Sequence, residues 1–302
     1  MKKEKLLFYT LLILFIGLLF ASPVGAKMIK EVAIGVGTEA PSEEMNDWFY
    51  MRYHGPDIKR NTGPWMTRYW VWIPYDPPEE AVELFGAVKG RSAELWYREE
   101  DYIERPDLKG ATGPPWWKEG QHNEGQKTVV MVPANPTEEF YDSDPHPEKT
   151  TILRWVTIIA YPKGVSAEEG EKWFLETHAK EAVKQPGLLK FVSHRVWENP
   201  EESGGNMPTG ERGMPPGGME MAQMPETPSW IRVCEYWYKD FDAWRKAVLE
   251  SPPKYTVPPW GGEYPFVDIA STFLPYYHEI DLLNNTYTPS INPSMNSNGT
   301  SP

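Results

Sequence analysis

Residues 48–72 read WFYMRYHGPDIKRNTGPWMTRYWVW, and residues 173–197 read WFLETHAKEAVKQPGLLKFVSHRVW. Both stretches are 25 residues long, begin with Trp-Phe and end with Trp. Each has a histidine near its start, His54 or His178, although the two are one position out of register. Each also has a break in the middle, Gly63-Pro64 or Pro186-Gly187. Self-similarity of this kind indicates two copies of one structural unit.

A second matched pair follows each copy. Residues 93–100, AELWYREE, resemble residues 234–241, CEYWYKDF. The spacing between the copies is 125 residues in the first pair and 141 in the second, so copy two has gained 16 residues. These fall in residues 199–228, a stretch rich in Met, Pro and Gly that is typical of a surface loop. The sequence therefore predicts an internal duplication with an insertion at 199–228.

The pattern of each copy predicts strand, helix, strand, strand, helix, strand. Strands are indicated by alternating β-branched runs, and a helix start by Ser166 followed by acidic residues. This order is the ferredoxin-like α+β arrangement, whose sheet has one open face. Two tandem ferredoxin-like domains that bury their open faces together would form an intramolecular dimeric α+β barrel. The alternative is two independent domains joined by a linker at 135–150.

The N-terminus is typical of a secretory signal peptide. Three lysines precede an apolar run of 16 residues, and small residues follow it up to residue 26. The alternative is a membrane anchor, because the run is only slightly shorter than the roughly 20 residues of a membrane span, but Ser22, Pro23 and Gly25 directly after it favour cleavage. We therefore expect residues 1–26 to be a signal peptide and the mature chain to be exported, periplasmic or extracellular. Domains are predicted at 27–140 and 150–283, with a disordered tail at 284–302.

Composition narrows the classes of partner. The net charge of −13 makes nucleic acid and anionic membrane surfaces unfavourable partners. Cys234 is the only cysteine, lies in a strand-like run and is expected to be buried. No haem, dinucleotide-binding or HExxH motif occurs, so no cofactor is expected. The methionines at 207–224 could bind a soft metal such as Cu(I), but their irregular spacing favours a flexible insert and no metal. The 14 Trp residues predict a core rich in aromatic side chains.

The chain resembles the EthD family of dimeric α+β barrel proteins. The resemblance rests on Phe174-x3-His178, Pro186-Gly187-Leu188 and Trp237-Tyr238-x-x-Phe241. It implies a small-molecule cavity between sheet and helices. It also implies a relation to oxidoreductases, dehydratases, decarboxylases and isomerases that act on aromatic or polyketide-like compounds. Family members form dimers from separate chains, whereas a tandem copy would be a monomeric pseudo-dimer; further association of such monomers stays open.

Three histidines are candidate proton-transfer groups, because the pKa of imidazole lies near working pH. His178 matches the histidine of the family, His54 is its counterpart in copy one, and His194 lies on the following strand. The alternative for His178 is a structural role near the end of its helix. Next to His194, Arg195 points to the opposite face, and Tyr69 corresponds to His194 at a spacing of 125 residues.

The predicted pocket residues are Tyr69, Arg195, Trp197, Trp72 and Trp237. Two functions remain open. One is an EthD-like oxidoreductase or lyase acting on a small aromatic or apolar molecule. The other is a module that binds such a ligand or a protein without chemistry. Polar groups converging on one cavity would favour the first, and a dry aromatic cavity would favour the second.

Overall fold

The computed structural model describes residues 26–36, 55–56, 59, 65–104, 128–198, 230–262, 268–278, 280–284 and 286–287. Within them the chain forms eleven strands: β1 Met28–Val36, β2 Met66–Trp72, β3 Arg91–Arg98, β4 Thr128–Pro133, β5 Glu138–Asp142, β6 Leu153–Ala160, β7 Lys190–Arg195, β8 Arg232–Tyr238, β9 Asp268–Pro275, β10 Ile280–Asp281 and β11 Thr286–Tyr287. The helices there are α1 Glu79–Phe85, α2 Glu99–Glu104, α3 Ala167–Trp173, α4 Ala179–Ala182 and α5 Phe241–Arg245. A π-helical turn, Phe174–His178, joins α3 to α4, and another, Lys246–Glu250, follows α5.

The strands form two antiparallel sheets with equivalent orders. The first sheet runs β11-β10-β2-β3-β1-β4, and the second runs β5-β7-β8-β6-β9. In each sheet the four strands of one copy lie in the order second, third, first, fourth, which is the ferredoxin-like order. The predicted α+β fold of two tandem ferredoxin-like domains in an intramolecular barrel is therefore confirmed.

Each sheet is extended by a strand that follows the last strand of the other sheet. After β4 the chain leaves the first sheet and forms β5, which pairs with β7. After β9 it leaves the second sheet and forms β10, which pairs with β2. Residues 135–150 thus include a strand of the second sheet, so the alternative of two independent domains joined by a free linker is wrong.

Two equivalent hydrogen bonds close the barrel at the remaining edges. The backbone N–H of Tyr75, just after β2, donates to the carbonyl of Phe273 in β9 at 2.8 Å. The N–H of Trp197, just after β7, donates to the carbonyl of Met131 in β4 at 2.7 Å. These contacts satisfy edge groups that would otherwise be open to pairing with other chains.

Alternation along the strands separates two kinds of core. Between the sheets, small and branched side chains such as Val32, Val132, Val156 and Ile158 pack together with Trp72. On the far side of the second sheet, rings dominate and the helices cover them. Because successive side chains on a strand point to opposite faces, one set of strands supplies both cores.

The helices follow local sequence signals. The hydroxyl of Ser166 accepts a hydrogen bond from the N–H of Glu169 at 3.1 Å, which confirms the predicted helix start. The poorly patterned segment after residue 79 forms α1, and its Phe85 packs edge-to-face on Trp155 of the second sheet. Gly86 ends α1 at φ 54°, where a Cβ would lie 2.7 Å from the carbonyl oxygen of Ile269. Only glycine fits this close approach.

Cys234 is buried, as predicted, and burial raises the pKa of its thiol to about 12. None of the described helices has the length and apolar character needed to cross a bilayer. The predicted signal peptide, the 199–228 insertion, the first helix of copy one and all but the start of the tail lie outside the described residues.

Candidate functional site

A cavity of about 400 Å³ lies between the two sheets. Both segments that cross from one sheet to the other contribute to its wall, 134–136 after β4 and 276–278 after β9. The wall combines aromatic rings with charged groups and consists of Lys30, Trp70, Trp72, Glu94, Trp96, Ala134, Asn135, Pro136, Arg154, Val192, His194, Glu235, Tyr276 and His278. Its volume suits a small organic ligand.

Four buried charges form an ionic cluster at this cavity. The ammonium of Lys30 lies 3.2 Å from a carboxylate oxygen of Glu94 and 3.9 Å from one of Glu235. The guanidinium of Arg154 lies 2.9 Å from Glu235 and 3.9 Å from Glu94. Each cation is thus shared by both carboxylates, and the cluster of two positive and two negative charges is neutral.

The cluster has a twofold character because equivalent strands supply it. Lys30 and Arg154 lie near the starts of β1 and β6, and Glu94 and Glu235 lie at equivalent positions of β3 and β8. An indole N–H two residues further on donates to each carboxylate. These donors belong to Trp96, at 3.0 Å from Glu94, and to the Trp of β8, at 3.3 Å from Glu235.

Glu235 remains ionised despite its burial. Removal from water would by itself raise the pKa of its carboxyl. The positive charges of Arg154 and Lys30 outweigh that effect and hold the pKa well below its ordinary value. The site therefore presents a permanent buried anion.

His194 is the histidine that faces this anion. Its Nδ1 lies 2.9 Å from the carbonyl oxygen of Pro133, and its Nε2 lies 3.7 Å from Glu235. A carbonyl can only accept, so Nδ1 carries the hydrogen of this contact. In the neutral ring, Nε2 then holds the lone pair, so its tautomer suits it to take up a proton beside a carboxylate.

An aromatic wall completes the cavity. Trp70 stacks on His278 with ring centroids 4.6 Å apart, and it meets Trp96 at 5.6 Å. At the rim, the exposed Arg68 lies over both indoles, with its guanidinium carbon 4.9 Å from the ring centre of Trp70 and 4.5 Å from that of Trp96. Burial lowers the pKa of His278, against the charges of Asp281 and Glu94.

Of the predicted site residues, the structure brings His194 and Trp72 together in the cavity wall. The assignment of Tyr69 to the position of His194 is wrong. His194 pairs with Val233, whose equivalent in the first sheet is Ser92, and Ser92 pairs with Trp72. Trp72 therefore occupies the equivalent of the His194 position, since the strand register corresponds to a spacing of 122 residues instead of 125.

Four of the five predicted pocket residues do not line the cavity. Tyr69 points into the core on the outer face of the first sheet. Arg195 points to the opposite face of the strand from the adjacent His194 and is exposed. Its guanidinium lies 3.9 Å from the carboxylate of Glu198. Trp197 continues beyond β7 and donates to Glu99 at 2.6 Å. Trp237 is the donor to Glu235 described above and packs edge-to-face on Tyr276, behind the wall.

His178 lies in the helix-covered core and not at the cavity. Its ring stacks on Trp173 and on Tyr255, with centroids 5.1 and 5.3 Å away. Burial lowers its pKa to about 4, opposed by the charge of Glu181, so the ring is neutral at neutral pH. The described cavity lies between the sheets, which corrects the expected position between sheet and helices. His54 lies outside the described residues.

Sequence reasoning missed the ionic cluster. Its signal was present as single charged residues inside otherwise apolar strands, Lys30 and Glu94 in copy one and Arg154 and Glu235 in copy two. Such residues are almost never fully buried unless they are paired. The matching positions in the two copies could have suggested that the four side chains meet.

Solved structures that are similar to this fold include these two. One is an anthrone oxidase-like protein, with a TM-score of 0.43, 9% identity, and coverage of 88% of this chain and 97% of that chain. The other is a chlorite dismutase-like protein, with a TM-score of 0.31, 9% identity, and coverage of 82% and 94%. No family model and no curated protein matches the sequence. Similarities of this size say nothing about activity, which has to be inferred from the cavity.

Proposed function

We propose that the chain is an EthD-like enzyme, an oxidoreductase or lyase, that acts on a small aromatic or apolar molecule in the cavity between the sheets. The observation that carries the proposal is the convergence of His194 and Glu235 on a cavity with an aromatic wall. A cavity that only held an apolar ligand would not need buried charges at its wall, because burial of charge is costly.

His194 is the proton-transfer group in this proposal. The contact with the carbonyl of Pro133 fixes the tautomer, and Nε2 accepts a proton from a C–H bond of the bound substrate. The electron pair of that bond remains on the substrate. The imidazolium that forms is stabilised by the negative charge of Glu235, 3.7 Å away.

Lys30 and Arg154 serve the same step. They neutralise the two carboxylates of the cluster before substrate binds, and their positive charges favour the negative charge that develops on the substrate. Abstraction of a proton next to an electron-withdrawing group leaves an electron pair that can expel a leaving group of the substrate, in an elimination, or pass to an external electron acceptor such as dioxygen, in an oxidation. This shared step is why both reaction classes are retained.

Hydrogen exchange tests the proton transfer without knowledge of the natural substrate. The probe is 2-tetralone, an aromatic ketone with acidic C–H bonds, and its deuterium uptake from D₂O is followed by NMR. We expect the protein to accelerate exchange and His194→Ala to lower that rate by about 10²-fold or more, as for loss of a general base. His178→Ala is the control and should retain the rate, because its ring lies outside the cavity.

Loss of exchange in His178→Ala with retention in His194→Ala would reverse the assignment. Binding of 2-tetralone without any exchange would favour the alternative, a binding module, which the aromatic wall also supports. Export is the remaining part of the proposal and rests on the N-terminal sequence. A mature protein that begins near residue 27 in the extracellular or periplasmic fraction, by mass spectrometry, would support it, and retention of the apolar run would refute it.

A further inference from the structure

Arg68 differs from the other cations of the site. Lys30 and Arg154 are each shared between two carboxylates, whereas Arg68 makes no ion pair with any described carboxylate. Its guanidinium instead lies against two indoles of the cavity wall, Trp70 and Trp96. The four charges of the ionic cluster sum to zero, and the carboxylate of Asp281 near His278 accepts from Asn284, so Arg68 is the cation at the wall with no described carboxylate within ion-pair distance.

A cation at the cavity wall without a described carboxylate partner stands out in an acidic chain. The net charge of the whole sequence is −13, so the long-range field repels anions. The guanidinium of Arg68, next to an aromatic cavity, is therefore available to a charged group of a ligand. A neutral or cationic ligand would gain nothing from it, whereas an anionic group would be attracted.

The stacking of Arg68 also prepares it for binding. A guanidinium that lies on a ring uses its flat face, which leaves its N–H edge available. That edge matches a carboxylate with two parallel hydrogen bonds. Holding the side chain in place on Trp70 and Trp96 lowers the entropy lost when a ligand is bound.

Building on the proposed function, we propose that the substrate is a small planar aromatic carboxylate. Its ring lies in the cavity against Trp70, Trp72 and Trp96, and its carboxylate binds the guanidinium of Arg68 at the rim. Arg68 is then the residue that sets specificity for an anion, while His194 faces the part of the substrate inside the cavity.

Calorimetric titration with a matched pair of probes tests this inference. The probes are 2-naphthoate and 2-naphthamide, which share ring and size and differ in charge. We expect the wild-type chain to bind naphthoate about tenfold more tightly, as for a hydrogen bond between charged groups. Arg68→Gln should bring the two affinities together by weakening naphthoate only, and Arg68→Lys should retain part of the preference.

Arg195→Gln is the matched control, because Arg195 is also exposed on an inner strand of the barrel but lies beside Glu198 and away from the cavity. It should leave both affinities unchanged. Equal affinities in the wild type, both weakened by Trp70→Ala, would overturn the preference for an anion and leave the proposed cavity function intact. Failure of both probes to bind would overturn the cavity as a ligand site, and with it the proposed function.

Discussion

The two faces of the second sheet show opposite chemistry on the same strands. Toward the cavity lie His194, Glu235 and Arg154, which form an ionic network with Lys30 of the first sheet. Toward the helices, Trp155 and Tyr236 pack with their centroids 5.3 Å apart in a core of rings. One step along a strand thus separates the proposed site of proton transfer from an apolar core.

The two histidines illustrate the difference. His194 has a carbonyl on Nδ1 and a carboxylate near Nε2, so the ring has an acceptor for each N–H when it is protonated. His178 is surrounded by rings, and burial opposes its charge. A histidine is therefore suited to proton transfer by the face on which it lies, and not by its place in the sequence.

The largest expected effect comes from breaking the network on the cavity face. Glu235→Gln removes the anion and leaves Arg154 with Glu94 at 3.9 Å as its remaining described carboxylate. We expect the free energy of unfolding to fall by about 3–5 kcal/mol, as for an uncompensated buried charge. Urea denaturation measures it. The combined Arg154→Met, Glu235→Leu variant should recover much of the loss, and failure to do so would mean that the network acts through packing.

A somewhat smaller loss in the free energy of unfolding is expected when the pH is lowered, because of His178 on the helix-covered face. The pKa of His178 is lowered to about 4 in the folded chain, against 6.5 when unfolded. Its contribution to stability is therefore complete above pH 6.5 and is lost as the pH falls through 4. The expected loss is about 3 kcal/mol.

The variant His178→Phe isolates this contribution from that of the carboxylates. Urea denaturation at pH 7 and at pH 4.5 should show a smaller pH dependence in the variant than in the wild type. His146→Phe is the control, because His146 is exposed beside Glu148 and has no such burial. An unchanged pH dependence in His178→Phe would show that the ring is protonated when folded.

The smallest effect concerns a polar group at the edge of the helix-covered face. Ser193 is buried, and its hydroxyl donates to Glu138 at 2.8 Å and accepts from Arg232 at 2.6 Å. Arg232 keeps Glu171 when that hydroxyl is removed. Ser193→Ala should therefore cost about 1 kcal/mol in urea denaturation. Ser143→Ala, at an exposed position, should lower the free energy of unfolding by less. An equal loss would show that burial of the Ser193 hydroxyl between Glu138 and Arg232 adds nothing to stability.

Most of the fold, but little of the site, could be predicted from the sequence. The repeat and the alternation of β-branched residues predicted the order of strands, because these signals are local and extend over whole strands. The reciprocal strands β5 and β10 were missed, since β10 has only two residues and no pattern can mark it. Tyr69 was matched to the wrong partner because the spacing between the copies changes from one element to the next.

The residues of the site could not be predicted from strand alternation alone. His194 and Arg195 are adjacent, and the sequence could assign them to opposite faces but not say which face enclosed a cavity. His178 lay in the better-matched segment, yet its helix covers the other side of the sheet. The ionic cluster required knowing that Lys30 and Arg154, far apart in the chain, meet between the sheets.

Strands β5 and β10, each of which extends the sheet of the other half, also make the two sheets complete at different times during synthesis. When the second sheet forms, its edge strand β5 has already been made, because it precedes β6 in the chain. In the first sheet, the edge of β2 stays uncovered until β10, which follows β9, has left the ribosome. Contacts of such long sequence separation form slowly, and an uncovered edge invites wrong pairing. The N-terminal half is thus the part of a nascent chain that most needs protection.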